Sequence, residues 1–496
     1  MPGLRRRAQP QRLLRPSGGP HGNDVRGDPR ARRAFSEEEC MRSVCETLVQ
    51  MIEDPKATAD DFANAPLPES MPAVTLHRDE QEMFAGQAFR DKDPRRSLHF
   101  EEVPLPEPEH GEVLVAVMAS AVNFNNVWSA IFEPAPGFSY ISDFARMRDT
   151  HQKHNQNFQI IGGDAAGVVV RAHPSVNQWK PGDRVTLHGG VFDVEEPVVF
   201  SDAVQDPHAR AWGFETNYGA FAYFTVVQQH QLLPKAEHLS WEEAASMNLV
   251  SSTAYRMLVS PNGASMRQGD NVLIWGAAGG LGSIAIQMVR NGGGVPIGVV
   301  SSDEKADAAR KIGCERVITL RRTPGAELFL DENGRTRGRQ ILRLKAQIRR
   351  LTGGEDCDIV FEHTGRSTFA ASVGVAKTGG KIVTCGSTSG YDHVFDNRYL
   401  WQTVKSIIGS HGANYHEAMQ AVRLICKGMI TPVLSEVFPL RRTAEAVGKM
   451  HAGGQIGKLG ILNMAPEEGM GIRDRELRER VGEKRINVLR KDMAAA

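Results

Sequence analysis

The chain has 496 residues, 41% hydrophobic and 24% charged, so it can bury ordinary globular cores. Its 59 basic and 59 acidic residues cancel, which gives no support for bulk nucleic-acid or membrane-surface binding. No apolar run approaches the roughly 20 residues that span a bilayer, and the six cysteines form no Cys-x-x-Cys pair, so neither a zinc lobe nor a disulfide framework is indicated and a reducing cytoplasm is expected.

Residues 1–40 carry nine arginines among prolines and glycines, with almost no apolar periodicity, and are expected to be a disordered extension. A helix-like pattern starts at Met41 (Val44, Leu48, Met51, Ile52). From Ser97 to Val227 the signals are β-like. Val113-Leu114-Val115-Ala116-Val117, Gly167-Val168-Val169-Val170 and Arg184-Val185-Thr186-Leu187 are apolar runs separated by turns such as Pro181-Gly182-Asp183. Residues 129–160 and 188–212 read as long irregular insertions, of the kind that serve function or oligomer formation. Ser240-Trp241-Glu242-Glu243 is a capping box that opens a helix. From Asn271, strands at 271–275, 295–300, 315–320, 357–363 and 381–386 alternate with helices near 283–291, 303–312, 340–351 and 367–376. That alternation predicts a parallel sheet covered on both faces. The charged segment 321–339 reads as a surface insertion. After 407 a strand, a helix and a strand return toward the β-rich part. The tail from Pro466 holds Leu477, Val481 and Val488 at helical spacing. The expected divisions are therefore 1–40, 41–245 (substrate and catalytic), 246–406 (dinucleotide), 407–465 (return) and 466–496 (tail).

The strongest local signal is Gly276-Ala277-Ala278-Gly279-Gly280-Leu281-Gly282, which follows the strand Val272-Leu273-Ile274-Trp275 and precedes a helix. Strand, glycine turn and helix form a pyrophosphate cradle, because the backbone can approach the phosphates and the helix N-terminus offers free N–H groups. Gly276, Ala278, Gly279, Gly280 and Leu281 are the expected contacts. The next strand ends at Ser301-Ser302-Asp303-Glu304-Lys305. Ser301, Ser302 and Lys305 can surround a 2′-phosphate, which favours NADPH over NADH. Asp303 and Glu304 leave a carboxylate on the ribose open, though both can equally open the next helix.

A β-rich domain, a dinucleotide domain and a short return resemble the plan of the medium-chain dehydrogenases and reductases. That resemblance implies an α/β fold, with a GroES-like β-rich catalytic domain and a Rossmann doubly wound parallel sheet. Where zinc members carry Gly-His-Glu, this chain reads Gly162-Gly163-Asp164, and Phe124-Asn125 occupies the catalytic cysteine position. No metal is expected. Without a Lewis acid to polarise an alcohol, reduction of an activated double bond is favoured.

Several long motifs then resemble one family, the crotonyl-CoA carboxylase/reductases. They are Met118-Ala119-Ser120-Ala121-Val122-Asn123-Phe124-Asn125-Asn126-Val127-Trp128, Trp212-Gly213-Phe214-Glu215-Thr216-Asn217, Phe361-Glu362-His363, Ser387-Thr388-Ser389-Gly390-Tyr391, Asp396-Asn397-Arg398-Tyr399-Leu400-Trp401 and Ile407-Ile408-Gly409-Ser410-His411. The resemblance covers about residues 45 to 475. It implies reductive carboxylation of an enoyl-CoA: hydride from NADPH adds to the β-carbon and the α-carbon attacks CO2, giving an alkylmalonyl-CoA. The family's CO2-holding residues fall on Asn125, Phe214, Glu215 and His411. Its CoA adenine site, on an adjacent subunit, falls near Arg398 and Tyr399, and a homotetramer built as a pair of dimers is implied. Taken singly, Asn125 could cap a turn, Phe214 could be core, Glu215 and Arg398 could be surface charges, and His411 could be structural; their joint presence carries the functional reading.

Two departures stand out. Gly412 follows His411 where family members carry Phe, which opens space for an acyl chain longer than four carbons, and Thr364 replaces an expected proline. Competing readings are a plain NADPH-dependent enoyl-CoA reductase, a quinone or enone reductase, and a protein that keeps NADPH only for stability or regulation.

Overall fold

The strand Glu112–Val122 is buried along its whole length and forms the spine of a seven-stranded sheet. Its continuous apolar run follows from burial on both faces. It pairs antiparallel with Ala165–Ala172, with Phe224–Gln228 and, at its C-terminal end, with Lys458–Leu462. The last of these comes from late in the chain and runs parallel to Leu434–Pro439, so the polypeptide returns to this sheet. A three-stranded antiparallel sheet, in the order His99–Pro104, Ser70–His77, Phe158–Ile160, lies in the same half of the chain. The computed structural model describes residues 29–320 and 328–490, with side chains from Met41 onward.

The second large sheet is parallel and six-stranded: Arg316–Thr319, Val295–Val300, Asn271–Trp275, Cys357–Glu362, Ala376–Thr384, Ser406–Gly409. The order reverses direction between Asn271–Trp275 and Cys357–Glu362, which opens a crevice at the carboxyl ends of those strands. Ser406–Gly409 is the sixth strand of this sheet, so the parallel sheet runs on past residue 406. The Ser240 hydroxyl accepts from the Glu243 amide and the Glu243 carboxylate accepts from the Ser240 amide at 2.8 Å, completing the capping box.

Four segments differ from the sequence reading. Residues 129–160 are largely helical: Gly137–Met147 buries Phe138, Ile141, Phe144 and Ala145 on one face. Its entry, Glu133-Pro134-Ala135-Pro136-Gly137, has the composition of a loop and hides the periodicity that follows. The 188–212 insertion is pinned at both ends. Gly190–Val191 pairs with Arg210–Ala211, and buried Asp202 meets Arg256 at 2.7 Å. Arg256 also meets buried Glu417 at 2.8 Å, tying the insertion to the helices Asn248–Leu258 and Tyr415–Cys426. Of the expected surface insertion, 321–327 lies outside the described residues, while Phe329 and Leu330 are core residues, with Phe329 edge-on to Trp275 at 5.9 Å. At the N-terminus, residues 1–28 lie outside the described residues and the helix Pro29–Glu53 starts before Met41. In the tail, Arg478 meets buried Glu243 at 2.7 Å.

Four histidines are held neutral by burial, which pushes His154 down to about 3 and His188, His230 and His238 down to about 4. Their folded values lie below the unfolded one, so the stability they contribute is complete above about pH 6.5 and is lost as pH falls toward 4. Each contributes a slope of about 1.4 kcal/mol per pH unit inside that window. Thermal melts should therefore show Tm falling already between pH 6.5 and 5, above the range where paired carboxylates protonate. A flat Tm across that interval would contradict the assignment.

Candidate active site

The glycine turn forms the start of a large cavity. Gly276 sits at φ +57°, a left-handed conformation that glycine adopts without strain, and a Cβ on Gly282 would lie 2.4 Å from the Gly276 carbonyl oxygen. Gly279 is the N-cap of the helix Gly280–Asn291, and no side chain caps that terminus. Its first N–H groups are thus available to an anion. The Gly457 amide donates to the Ala278 carbonyl at 2.7 Å, which docks the turn on the returning strand.

The cavity has a volume of about 1320 Å³, enough for a dinucleotide together with part of a second large ligand. Gly276, Ala278, Gly279, Gly280, Leu281, Ser301 and Lys305 line it. Ser302 does not; its hydroxyl accepts from the Lys305 amide and caps the helix Asp303–Lys311. The Lys305 ammonium donates to the Gly453 carbonyl at 3.0 Å, and burial lowers its pKa. Asn125 Oδ1, Ser367 Oγ, Ser410 Oγ and Gln455 Oε1 are buried polar atoms without a protein partner, and all four residues line this cavity. Orphaned groups converging on one space need a polar ligand to satisfy them, so the residues present fit a nicotinamide dinucleotide.

Asn125 and His411 both face the cavity. Asn125 lies on the short helix Phe124–Ala130, whose N-terminus is held by the Asn123 amide donating to Asn126 Oδ1 at 2.8 Å. A Cβ on Gly163 would stand in ordinary contact with Trp212 O at 3.4 Å and Asn125 Nδ2 at 3.6 Å, so the Asn125 amide and the 212–217 turn close on the same spot. Phe214 and Glu215 are not among the cavity-lining residues. Glu215 Oε2 accepts from the Ala211 amide at 2.7 Å, and Ala211 lines the cavity, so Glu215 acts on the wall through that residue. The Phe214 carbonyl accepts from Gln159 at 2.9 Å and its ring lies 6.3 Å from that of Tyr140. Arg398 and Tyr399 sit outside the cavity, exposed on the short helix Arg398–Trp401, with Arg398 paired to Asp396 at 2.6 Å.

The sequence reading missed Lys458, Asp164, Arg90, Arg210 and His188. Lys458 and Asp164 are a buried ion pair at 2.9 Å. Lys458 also donates to Asn123 Oδ1 at 2.6 Å, Asn123 donates to Asp164 Oδ2 at 2.8 Å, and Asp164 Oδ1 accepts from the Leu249 amide at 2.8 Å. Burial lowers the Lys458 pKa while Asp164 raises it. Arg90 and Arg210 bring positive charge to the cavity wall. His188 accepts from the Gly190 amide at 3.1 Å and lines the same cavity as His411. No motif flags these residues, since each pairs with a partner remote in sequence. The presence of Asp164 in the Gly-Gly-Asp triplet is the one signal available.

Two family models match, described as an alcohol dehydrogenase GroES-like domain over residues 109–237 and a zinc-binding dehydrogenase over 280–427. The residues here do not fit a catalytic zinc, because both oxygens of Asp164 are committed to Lys458, Asn123 and Leu249. The chain is 52% identical to a crotonyl-CoA reductase of Streptomyces avermitilis, over 87% of this chain and 96% of the relative. It is 36% identical to a crotonyl-CoA carboxylase/reductase of Cereibacter sphaeroides, over 79% and 90%. The solved structure of the 2-octenoyl-CoA carboxylase reductase CinF with NADP and 2-octenoyl-CoA superposes with a TM-score of 0.83 at 49% identity, covering 88% of this chain and 97% of that one.

Removing one partner of the Lys458–Asp164 pair strands a buried charge. Lys458→Met should cost about 3–5 kcal/mol in urea unfolding, and the double variant Asp164→Asn/Lys458→Met should regain most of it. A double variant no more stable than the single one would contradict the pairing.

Proposed function

This chain belongs to the crotonyl-CoA carboxylase/reductase family, and on that premise we propose how its cavity carries out NADPH-dependent reductive carboxylation of an α,β-unsaturated acyl-CoA. NADPH, when bound, supplies the hydride that adds to the substrate β-carbon. The electron pair of the double bond then moves onto the α-carbon and thioester oxygen as an enolate, and the α-carbon forms a bond to CO2. The observation that carries the reading is Asn125, whose side chain lines the same cavity as the glycine turn and offers an Nδ2 donor there. Its amide can donate to one oxygen of CO2 and fix a molecule that has no charge of its own. His411 lines the same cavity, and Glu215 supports it by holding the Ala211 amide. Phe214 contributes to the stiffness of the turn rather than to the wall itself.

The competing event is protonation of the enolate, which gives a plain saturated acyl-CoA. Phe124, Trp128, Phe192, Leu249 and Val250 give the cavity an apolar share of wall that keeps water out. Gly276 to Leu281, with Ser301, hold the cofactor phosphates and ribose, and Lys305 takes the 2′-phosphate. Ser302 serves by starting the helix that carries Lys305.

The CoA moiety extends beyond this cavity. Arg398 and Tyr399 are exposed, as an adenine site supplied to a neighbouring subunit requires. Trp401, Val404 and Ile407 are exposed apolar residues beside the edge strand Ser406–Gly409. An apolar sheet edge of this kind fits a subunit contact, consistent with a dimer of dimers. No helix among the described residues is long and apolar enough to cross a membrane; a cytoplasmic site of action is part of the proposal.

Gly412 lines the cavity, lies at φ +50° and has no atom within 4 Å of where a Cβ would stand. The space beside His411 suits an acyl chain longer than crotonyl. Gly412→Phe would fill it, at the cost of a left-handed backbone at a bulky residue. The variant should lose most of its turnover on 2-octenoyl-CoA and keep most of it on crotonyl-CoA. Equal loss on both substrates would signal backbone strain alone and contradict the assignment. Separately, Asn125→Ala should keep oxidising NADPH while its product shifts at least about tenfold from alkylmalonyl-CoA toward saturated acyl-CoA; an unchanged product ratio would remove Asn125 from CO2 binding.

A further inference from the structure

A second cluster of chemistry-bearing side chains stands away from the cavity, at the open end of the sheet formed by Ser70–His77 and His99–Pro104. Thr75 lies directly opposite His99, and Ala73 opposite Glu101. The two-residue period of a strand therefore puts Thr75 and His77, with His99 and Glu101, on one face. The turn Arg78–Glu80 brings Glu80 back over the same face. The imidazoles of His77 and His99 stack with centroids 4.2 Å apart and planes 15° from parallel. His77 Nε2 contacts Glu101 Oε1 at 2.9 Å, and His99 Nε2 contacts Glu80 Oε2 at 2.7 Å. One ligand atom each from His77, Glu80 and His99 falls within a mutual 4.8 Å.

From this we infer that His77, Glu80 and His99, with Glu101 as the fourth ligand, form a structural Zn²⁺ site. Two imidazole nitrogens and two carboxylates are a borderline donor set of the kind zinc takes. A tetrahedral zinc with bonds of 2.0–2.1 Å holds its ligand atoms about 3.4 Å apart. The ligand atoms of His77, Glu80 and His99 already lie within 4.8 Å of one another and Glu101 touches His77, so side-chain rotations close the cluster onto an ion, and the strand pairing fixes where each ligand starts. The buried Thr75 hydroxyl donates to Glu101, the outer hydrogen bond that orients a ligating carboxylate. All four ligand side chains are between 27% and 35% exposed, so an ion can reach them from solvent.

The place of the site gives it a consequence. His77 and Glu80 stand at the start of the 78–98 connection and His99 stands at its end. That connection carries Phe89 and Arg90 into the cavity wall. The Phe89 carbonyl is held by His451 Nε2 at 3.0 Å and its ring stacks on Phe124 at 6.3 Å. An ion at the base of the connection ties its two ends together and narrows the positions open to Phe89 and Arg90. None of the four ligands lines the cavity, so the ion is a clip and takes no part in the chemistry.

The test uses the full-length, tag-free protein after chelator treatment and dialysis. Zinc chloride is titrated calorimetrically, with hydrogen exchange followed over residues 78–98. One Zn²⁺ per chain should bind in the micromolar range, raise Tm by roughly 3 °C at saturating metal and slow exchange in 78–98. His77→Ala/His99→Ala should weaken binding at least about tenfold and abolish the exchange effect. Glu80→Gln, which preserves volume, should weaken it as well and covers the case in which the double variant fails to fold. Absence of binding up to millimolar zinc, or unchanged affinity and stoichiometry in either folded variant, would overturn the site.

Discussion

The Lys458–Asp164 pair is the interaction on which the rest of the active region depends. Both side chains are almost wholly buried, and two charges taken out of water persist only where each remaining lone pair and proton is used. Asp164 uses both oxygens. In doing so it ties together four segments: the end of the strand Glu112–Val122 through Asn123, the strand it precedes, the helix Asn248–Leu258 through the Leu249 amide, and the strand Lys458–Leu462. These segments carry Asn125, Leu249 and Gly457 to the cavity. The stem of Lys458 also lies where a side chain on Gly280 would stand, 2.7 Å from that Cβ position, so the same residue sets the packing of the pyrophosphate turn.

The electrostatics of the cavity suit an enolate that must wait for a carbon electrophile. Of the histidines that line it, His363 donates a ring N–H to the Trp275 carbonyl at 2.8 Å and His451 to the Phe89 carbonyl at 3.0 Å, while His188 Nδ1 accepts from the Gly190 amide. Burial lowers the pKa of His188 and His363. The protons of His363 and His451 are thereby withheld from the reacting carbon. Asn125, an amide that neither gains nor loses a proton, is a fitting group to face CO2 in such a space.

Much of this was legible in the chain. The parallel sheet follows from apolar runs alternating with helical periods. The cofactor turn follows from glycines at positions where a Cβ would strike Gly276 or Lys458. The long motifs point to the family because each is too specific to recur by accident. What the chain did not disclose shares one cause. Lys458 finds Asp164 across almost three hundred residues, and Arg256 finds Glu417 across more than one hundred and fifty. No local pattern encodes such pairings. The helix Gly137–Met147 was hidden by a proline- and glycine-bearing entry. Phe214 and Glu215 were placed by resemblance in the site, and the fold sets them one residue behind the wall, where Glu215 works through the Ala211 amide.

The central claim is that the hydride step serves to create a carbon nucleophile for CO2. The most direct measurement is the ratio of ¹³C fixed to NADPH oxidised by the unmodified protein, supplied with an enoyl-CoA, ¹³C-bicarbonate and carbonic anhydrase. The account predicts about one labelled carboxyl group, on the α-carbon of an alkylmalonyl-CoA, for each NADPH consumed. NADPH oxidation that yields unlabelled saturated acyl-CoA at saturating CO2 would contradict it.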